Sequence, residues 1–278
     1  MKAIVDVCAP AKVNLFLHIV GRRADGYHLL ESVFALIDWC DTLHFEVRRD
    51  GVLSREDQGA ALPADDLILR AASALQRAGS AAQGAHIVVE KRIPAQAGMG
   101  GGSSDAASTL LALNRLWGLN FSRDALTAIG LTLGADVPFF LGGHNAWVSG
   151  IGDKMQPVTV PQARLVVVKP GQGVSTQLIF SHPDLKRDSQ PAILSGFVAD
   201  AFGFGQNDLQ VVAQQMCPGI GQALNWLEKC GLDGRMTGSG SAVFARTLPG
   251  FELPTAPESL QVRLCNTLVA HPLQGWAT

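Results

Sequence analysis

The chain has 278 residues, 47% hydrophobic and 17% charged, enough for one large domain or two packed ones and too apolar for general disorder. Its formal charge of −2 gives no bulk attraction to nucleic acid or to an anionic membrane surface. Five scattered cysteines, at 8, 40, 217, 230 and 265, include no Cys-x-x-Cys pair, so buried reduced thiols are expected rather than a zinc site or a disulfide framework.

Residues 3–20 read as one or two strands broken at Pro10. From Lys12 the pattern alternates, with Val13, Leu15, Leu17 and Ile19 on one face and Lys12, Asn14, Phe16 and His18 on the other. Lys2, Asp6, Pro10 and Lys12 break up the apolar run that a secretory leader needs, and no stretch reads as a membrane span, so a cytoplasmic location is expected. After a turn-rich link from Gly21 to Gly26, Leu29–Val47 reads as further β structure. Asp66–Ala78 suits an amphipathic helix with Leu67, Ala71, Ala74, Leu75 and Ala78 along one side. His86–Ile93 is β-branched and reads as a strand.

Next comes Pro94-Ala95-Gln96-Ala97-Gly98-Met99-Gly100-Gly101-Gly102-Ser103-Ser104-Asp105, with four glycines in five positions. Behind it Ala106, Leu110, Leu113 and Trp117 recur at helical spacing. Glycines let main-chain amides approach a ligand without a side chain in the way, and a helix start adds free N–H groups and a positive dipole end. A glycine loop running from a strand into a helix therefore reads as a phosphate cradle that a side chain on Gly101 would invade. Ser103 or Ser104 suits the N-cap or a magnesium-facing hydroxyl. No lysine lies inside the loop, and Ser103 stands where a dinucleotide fingerprint has its third glycine, so neither common nucleotide loop fits.

Further on, residues 125–140 mix a short helix with a turn around Gly134-Ala135-Asp136-Val137-Pro138. Pro157 and Pro161 mark the expected seam, giving domains of 1–157 and 158–278. Strands are expected at 164–168, 242–246 and 259–264, and helices at 209–216 and 222–229. This order fits an α+β class better than regular β–α alternation.

Five segments in order, Pro10–Leu15, Arg23–His28, Pro94–Ala107, Leu131–Pro138 and Thr237–Ser241, resemble the GHMP kinases, which phosphorylate small hydroxylated metabolites with ATP. The resemblance runs from Pro10 to near Arg246. It implies a two-domain fold, an N-terminal catalytic domain and a ferredoxin-like C-terminal domain with ATP and substrate between them. The segment ending in Tyr27-His28 points within the family to an acceptor that carries a cytidine diphosphate, phosphorylated at a 2-hydroxyl in isoprenoid precursor synthesis.

Site residues follow from that resemblance. Asp136 alone would suit either the organiser of its turn or a proton acceptor; the resemblance implies the second, with Lys12 as the cation beside it. Asn14 orients substrate. Pro94–Ser104 hold ATP, with magnesium expected to arrive on the nucleotide and no protein metal ligand assigned. Tyr27 and His28 recognise cytosine by stacking and by an imidazole hydrogen bond. Phe180 is a second stacking wall or a core residue; with Thr176 it lies where Ser175-Thr176-Gln177 departs from the family's proline-containing stretch. Gly238 and Ser239 buttress the loop and substrate. The expected partner is a small cytidyl molecule, with no nucleic acid, membrane or obligate protein partner. Two other readings are a GHMP kinase for homoserine, mevalonate or a sugar, and a nucleotide-binding scaffold without turnover. Tyr27-His28 argues against the first, and Lys12 with Asp136 against the second.

Overall fold

The structure is a computed structural model that describes residues 2–59 and 61–278. Two long apolar strands, β1 (Ala3–Arg22) and β2 (His28–Arg48), form an antiparallel hairpin at its centre. β3 (Leu53–Gln58) lies parallel to β4 (Gly84–Glu90), and β4 pairs with the far end of β2. β5 (Ala146–Ser149) and β6 (Lys154–Pro157) continue from the other end of that same edge of β2, opposite β1, completing a six-stranded sheet. One face carries α1 (Leu67–Ala78), α2 (Gly101–Leu116), α3 (Arg123–Leu133) and α4 (Val137–Gly142), packed over a core that includes Leu36, Phe45, Leu110 and Phe140.

A second sheet has four antiparallel strands, β7 (Arg164–Pro170), β8 (Gly234–Met236), β9 (Val243–Arg246) and β10 (Leu260–Asn266), in spatial order β10-β7-β9-β8. That 4-1-3-2 order is the ferredoxin-like arrangement. Its first crossover holds α5 (Thr176–Ser181), α6 (Leu194–Ala199), α7 (Gln210–Met216) and α8 (Pro218–Lys229); the second, 247–259, is non-helical. Alternate residues of β7 serve two cores. Leu165 and Val167 pack against Val13, Leu15 and Ile37 of the first sheet, while Val166 and Val168 pack with Val212, Ile220 and Leu227 of α7 and α8. The chain then returns to the first half: Leu273 and Ala277 join its helical core, and the Arg123 amide donates to the Thr278 carbonyl at 2.7 Å.

Several expectations are corrected. β1 does not break at Pro10 but runs on through irregularities in its pairing. One of them, between Asn14 and Leu17, shifts the side-chain alternation. Phe16 therefore joins Val13 and Leu15 in the core between the sheets, while Leu17 and Ile19 turn to the other face and the α7–α8 core. The strand expected through Ile93 ends at Glu90, because the next amides bond elsewhere. In α1 the buried stripe is Ile68, Ala71, Ala72 and Leu75, with Ala78 exposed. The β1–β2 register brings Cys8 and Cys40, expected as separate thiols, together across the hairpin, with Cα atoms 5.9 Å apart.

Candidate active site

A cleft of about 770 Å³ opens between the first sheet's helical side and the second half of the chain. Its floor is the glycine loop. Gly100, in the left-handed region at φ 71°, forms the N-cap of α2, so neither serine caps the helix. The first helical bond runs from the Ser104 amide to the Gly100 carbonyl at 2.9 Å, leaving the amides of Gly101, Gly102 and Ser103 without partners in the helix ladder. These three residues line the cleft. Ser104 does not: its side chain is fully buried and its hydroxyl has no partner. A Cβ on Gly101 would sit 3.0 Å from Ile93 Cγ2, pointing into the protein rather than into the cradle, so the expectation that a side chain there invades the phosphate site is corrected.

Main chain braces the loop from two directions. The Lys12 amide donates to the Met99 carbonyl at 3.0 Å, and the Ser241 and Ala242 amides donate to Gln96 and Ala97. Gly98 and Gly238 meet backbone to backbone, both at positive φ. A Cβ on Gly238 would stand 2.7 Å from the Gly98 carbonyl oxygen, and one on Gly98 would drive into the Thr237 carbonyl. Only glycine fits at either place.

Lys12 and Asn14, on the same face of β1, point into the cleft. The Lys12 ammonium, 4% exposed, donates to Asn14 Oδ1, lies 4.6 Å from the centroid of the Phe34 ring and stands 3.8 Å from Asp136 Oδ2. Burial pulls its pKa below the ordinary lysine value, with Asp136 opposing that shift. Asn14 is held in turn by Ser32 Oγ, which accepts from its side-chain amide at 2.8 Å, and by Thr237 Oγ1, which accepts from its main-chain N–H at 2.8 Å. Asp136 occupies the N-cap position of α4, yet its carboxylate caps nothing, so it does not serve as the organiser of its turn. Its side chain, 34% exposed, is open to the cleft.

Residues from the second half close the other wall. Thr176 and Ser239 join hydroxyl to hydroxyl at 2.6 Å. Phe180 both packs on the α7–α8 core and lines the cleft, so the two readings of that residue are compatible. His28 lies beside it with ring centroids 5.2 Å apart. Arg187 Nε donates to His28 Nε2 at 3.1 Å, which makes that nitrogen the acceptor and leaves Nδ1 to carry the proton. Partial burial and then the Arg187 and Arg22 charges lower the His28 pKa. Neither His28 nor Tyr27 lines the cleft itself: His28 adjoins it through Phe180, and Tyr27 is 61% exposed at the hairpin tip.

Sequence reasoning missed Arg187, which carries no motif, and a cluster of Asp41, Lys91 and Asp105 beside the loop, of which Lys91 and Asp105 line the cleft and Asp41 does not. Lys91 Nζ bonds both carboxylates, and the two anions outweigh burial to raise its pKa. Burial raises that of Asp105, with Lys91 opposing and Asp41 adding to the shift. The available signal was Glu90-Lys91-Arg92, three consecutive charges at the end of an apolar strand. Among the described residues no group of three or more His, Cys, Asp or Glu side chains could hold a metal ion, and no helix is long and apolar enough to cross a membrane.

Comparison with known proteins identifies the family. Residues 66–144 match the GHMP kinases N terminal domain and residues 192–269 the GHMP kinases C terminal domain. A 4-diphosphocytidyl-2-C-methyl-D-erythritol kinase of Albidiferax ferrireducens is 68% identical over 277 residues, covering 100% of this chain and 96% of the relative. One from Variovorax paradoxus is 61% identical, with 100% of both chains covered. A crystal structure of 4-(cytidine 5'-diphospho)-2C-methyl-D-erythritol kinase is 34% identical and superposes with a TM-score of 0.77, covering 95% of this chain and 98% of that one. With both domains matched and close relatives along the full length, the chain belongs to the GHMP kinases, in the 4-diphosphocytidyl-2-C-methyl-D-erythritol kinase family.

Proposed function

We propose that this protein transfers the γ-phosphoryl group of ATP to the 2-hydroxyl of 4-diphosphocytidyl-2-C-methyl-D-erythritol, a step of the non-mevalonate route to isoprenoid precursors. The observation that carries the reading is the Lys12–Asp136 pair, 3.8 Å apart in the same cleft as three free amides at a helix start. The amides and the positive end of α2 bind the phosphate chain, since exposed N–H groups and the helix dipole favour anions there. The acceptor hydroxyl lies between Lys12 and Asp136. Asp136 takes its proton as the oxygen attacks phosphorus in line, and the Lys12 ammonium stabilises negative charge on the transferred group. Asn14 fixes the Lys12 side chain and the substrate. Residues 1–157 supply the ATP loop and the reacting pair; 158–278 supply Thr176, Phe180, Gly238 and Ser239.

Phe180 and His28 hold the cytosine end, the ring by stacking and the imidazole through its Nδ1–H to a base acceptor. Tyr27, exposed in the free protein, covers the base from the hairpin tip. The donor set fits magnesium carried in on ATP: Ser103 lines the cradle and Asp136 is an open carboxylate, while most ligands of this ion come from phosphate and water. When bound it neutralises phosphate oxygens. Small-molecule chemistry of this kind supports a cytoplasmic setting with no membrane, nucleic-acid or obligate protein partner.

A coupled ADP-release assay with the cytidyl alcohol, homoserine and mevalonate tests the reading. Turnover of the cytidyl alcohol alone is expected; turnover of homoserine in its place would reverse the assignment, and none with any alcohol would leave a scaffold.

A further inference from the structure

Asp41 is 0% exposed and does not line the cleft, so it touches neither substrate. A carboxylate so far from water is costly unless donors satisfy it. Here every donor belongs to one short segment. Oδ1 accepts from the amides of Arg92 and of Ile93, the latter at 2.8 Å, and Oδ2 accepts from Lys91 Nζ. Lys91 gives a second bond, 2.6 Å, to Asp105 Oδ2 on α2. Residues 91–93 are where the chain leaves β4 to begin the glycine loop, and 101–105 are where the loop has become helix. One carboxylate thus grips the entrance of the loop directly and its exit through a single lysine. It also lies close to the first helical residue, since a Cβ on Gly101 would be 3.6 Å from Asp41 Oδ2.

We propose that Asp41 is a positioning residue for phosphoryl transfer, fixing the spacing of the two ends of the loop so that the Gly101, Gly102 and Ser103 amides are aimed before the triphosphate arrives. The inference rests on the kinase reading above. Amides fixed in advance need no reorganisation when charge reaches them, whereas a loop with a free entrance must be ordered by the nucleotide itself.

Asp41→Asn keeps the shape and one acceptor but removes the Asp41–Lys91 ion pair, leaving Lys91 tied to Asp105 alone. The expected result is a KM for ATP raised about tenfold or more, with the KM for the cytidyl alcohol within about twofold of wild type. In the ligand-free protein, hydrogen exchange across 92–104 should quicken about tenfold or more in both Asp41→Asn and Lys91→Gln. An unchanged KM for ATP with only a lowered Tm would make Asp41 a structural anion and overturn the proposal. If Asp41→Asn does not fold, Lys91→Gln decides alone, and unchanged exchange across 92–104 overturns it. Wild-type enzyme that turned over no cytidyl alcohol would sink the kinase reading instead, and the exchange result would still judge Asp41.

Discussion

At the phosphate end of the cleft, main chain holds main chain: Lys12 grips Met99, Ser241 and Ala242 grip Gln96 and Ala97, and two glycines pack where no side chain fits. At the end proposed for cytosine, side chains from distant segments meet, His28 from a hairpin, Phe180 from a six-residue helix and Arg187 from a stretch without regular structure. The contrast suits the ligands proposed for the two ends. A polyphosphate offers repeated oxygens of one kind, which amides in fixed positions satisfy, while a base has a face and an edge that only side chains can read.

The largest effect tests the chemistry between the two ends. Asp136→Asn should lower kcat by about 10²–10⁴, the range for losing a proton acceptor, with little change in either KM. A near-normal kcat in a steady-state assay would mean that a loose transition state needs no base. Next is the rigid end. Gly98→Ala forces a side chain to positive φ against the Thr237 carbonyl, so it should cost about 1–3 kcal/mol of stability in denaturant unfolding. It should also raise the KM for ATP about tenfold while sparing the KM of the alcohol; equal damage to both would break the comparison. The smallest effects belong to the cytosine end. Phe180→Ala should weaken the cytidyl substrate by about 1–3 kcal/mol in calorimetry, the worth of a stacked base. Tyr27→Ala, removing a ring that already faces solvent, should weaken it less. Equal losses would show that the hairpin tip closes on the base.

The strand, glycine loop and helix were legible in the sequence because their information is local. Strand, glycines and helix follow one another in a single run, and period-two alternation puts Lys12 and Asn14 on one face. The turn at Gly134–Pro138 was equally local, though only the fold brings Asp136 to Lys12. What was hidden depends on pairing between remote segments. The Cys8–Cys40 contact requires the β1–β2 register, and Asp41 finds its partners only once β4 lies beside β2. β3 escaped because an edge strand reading Leu-Ser-Arg-Glu-Asp-Gln carries polar residues where a central strand would not. β5 and β6, four residues each, are too short to show a period.

The extra residue near Leu15 and Phe16 in β1 has a thermodynamic consequence. Because that single strand sends Val13 and Leu15 into one apolar interior and Leu17 and Ile19 into another, neither half can melt while the other keeps its full packing. Heat should therefore take the molecule apart in one cooperative step despite its two lobes.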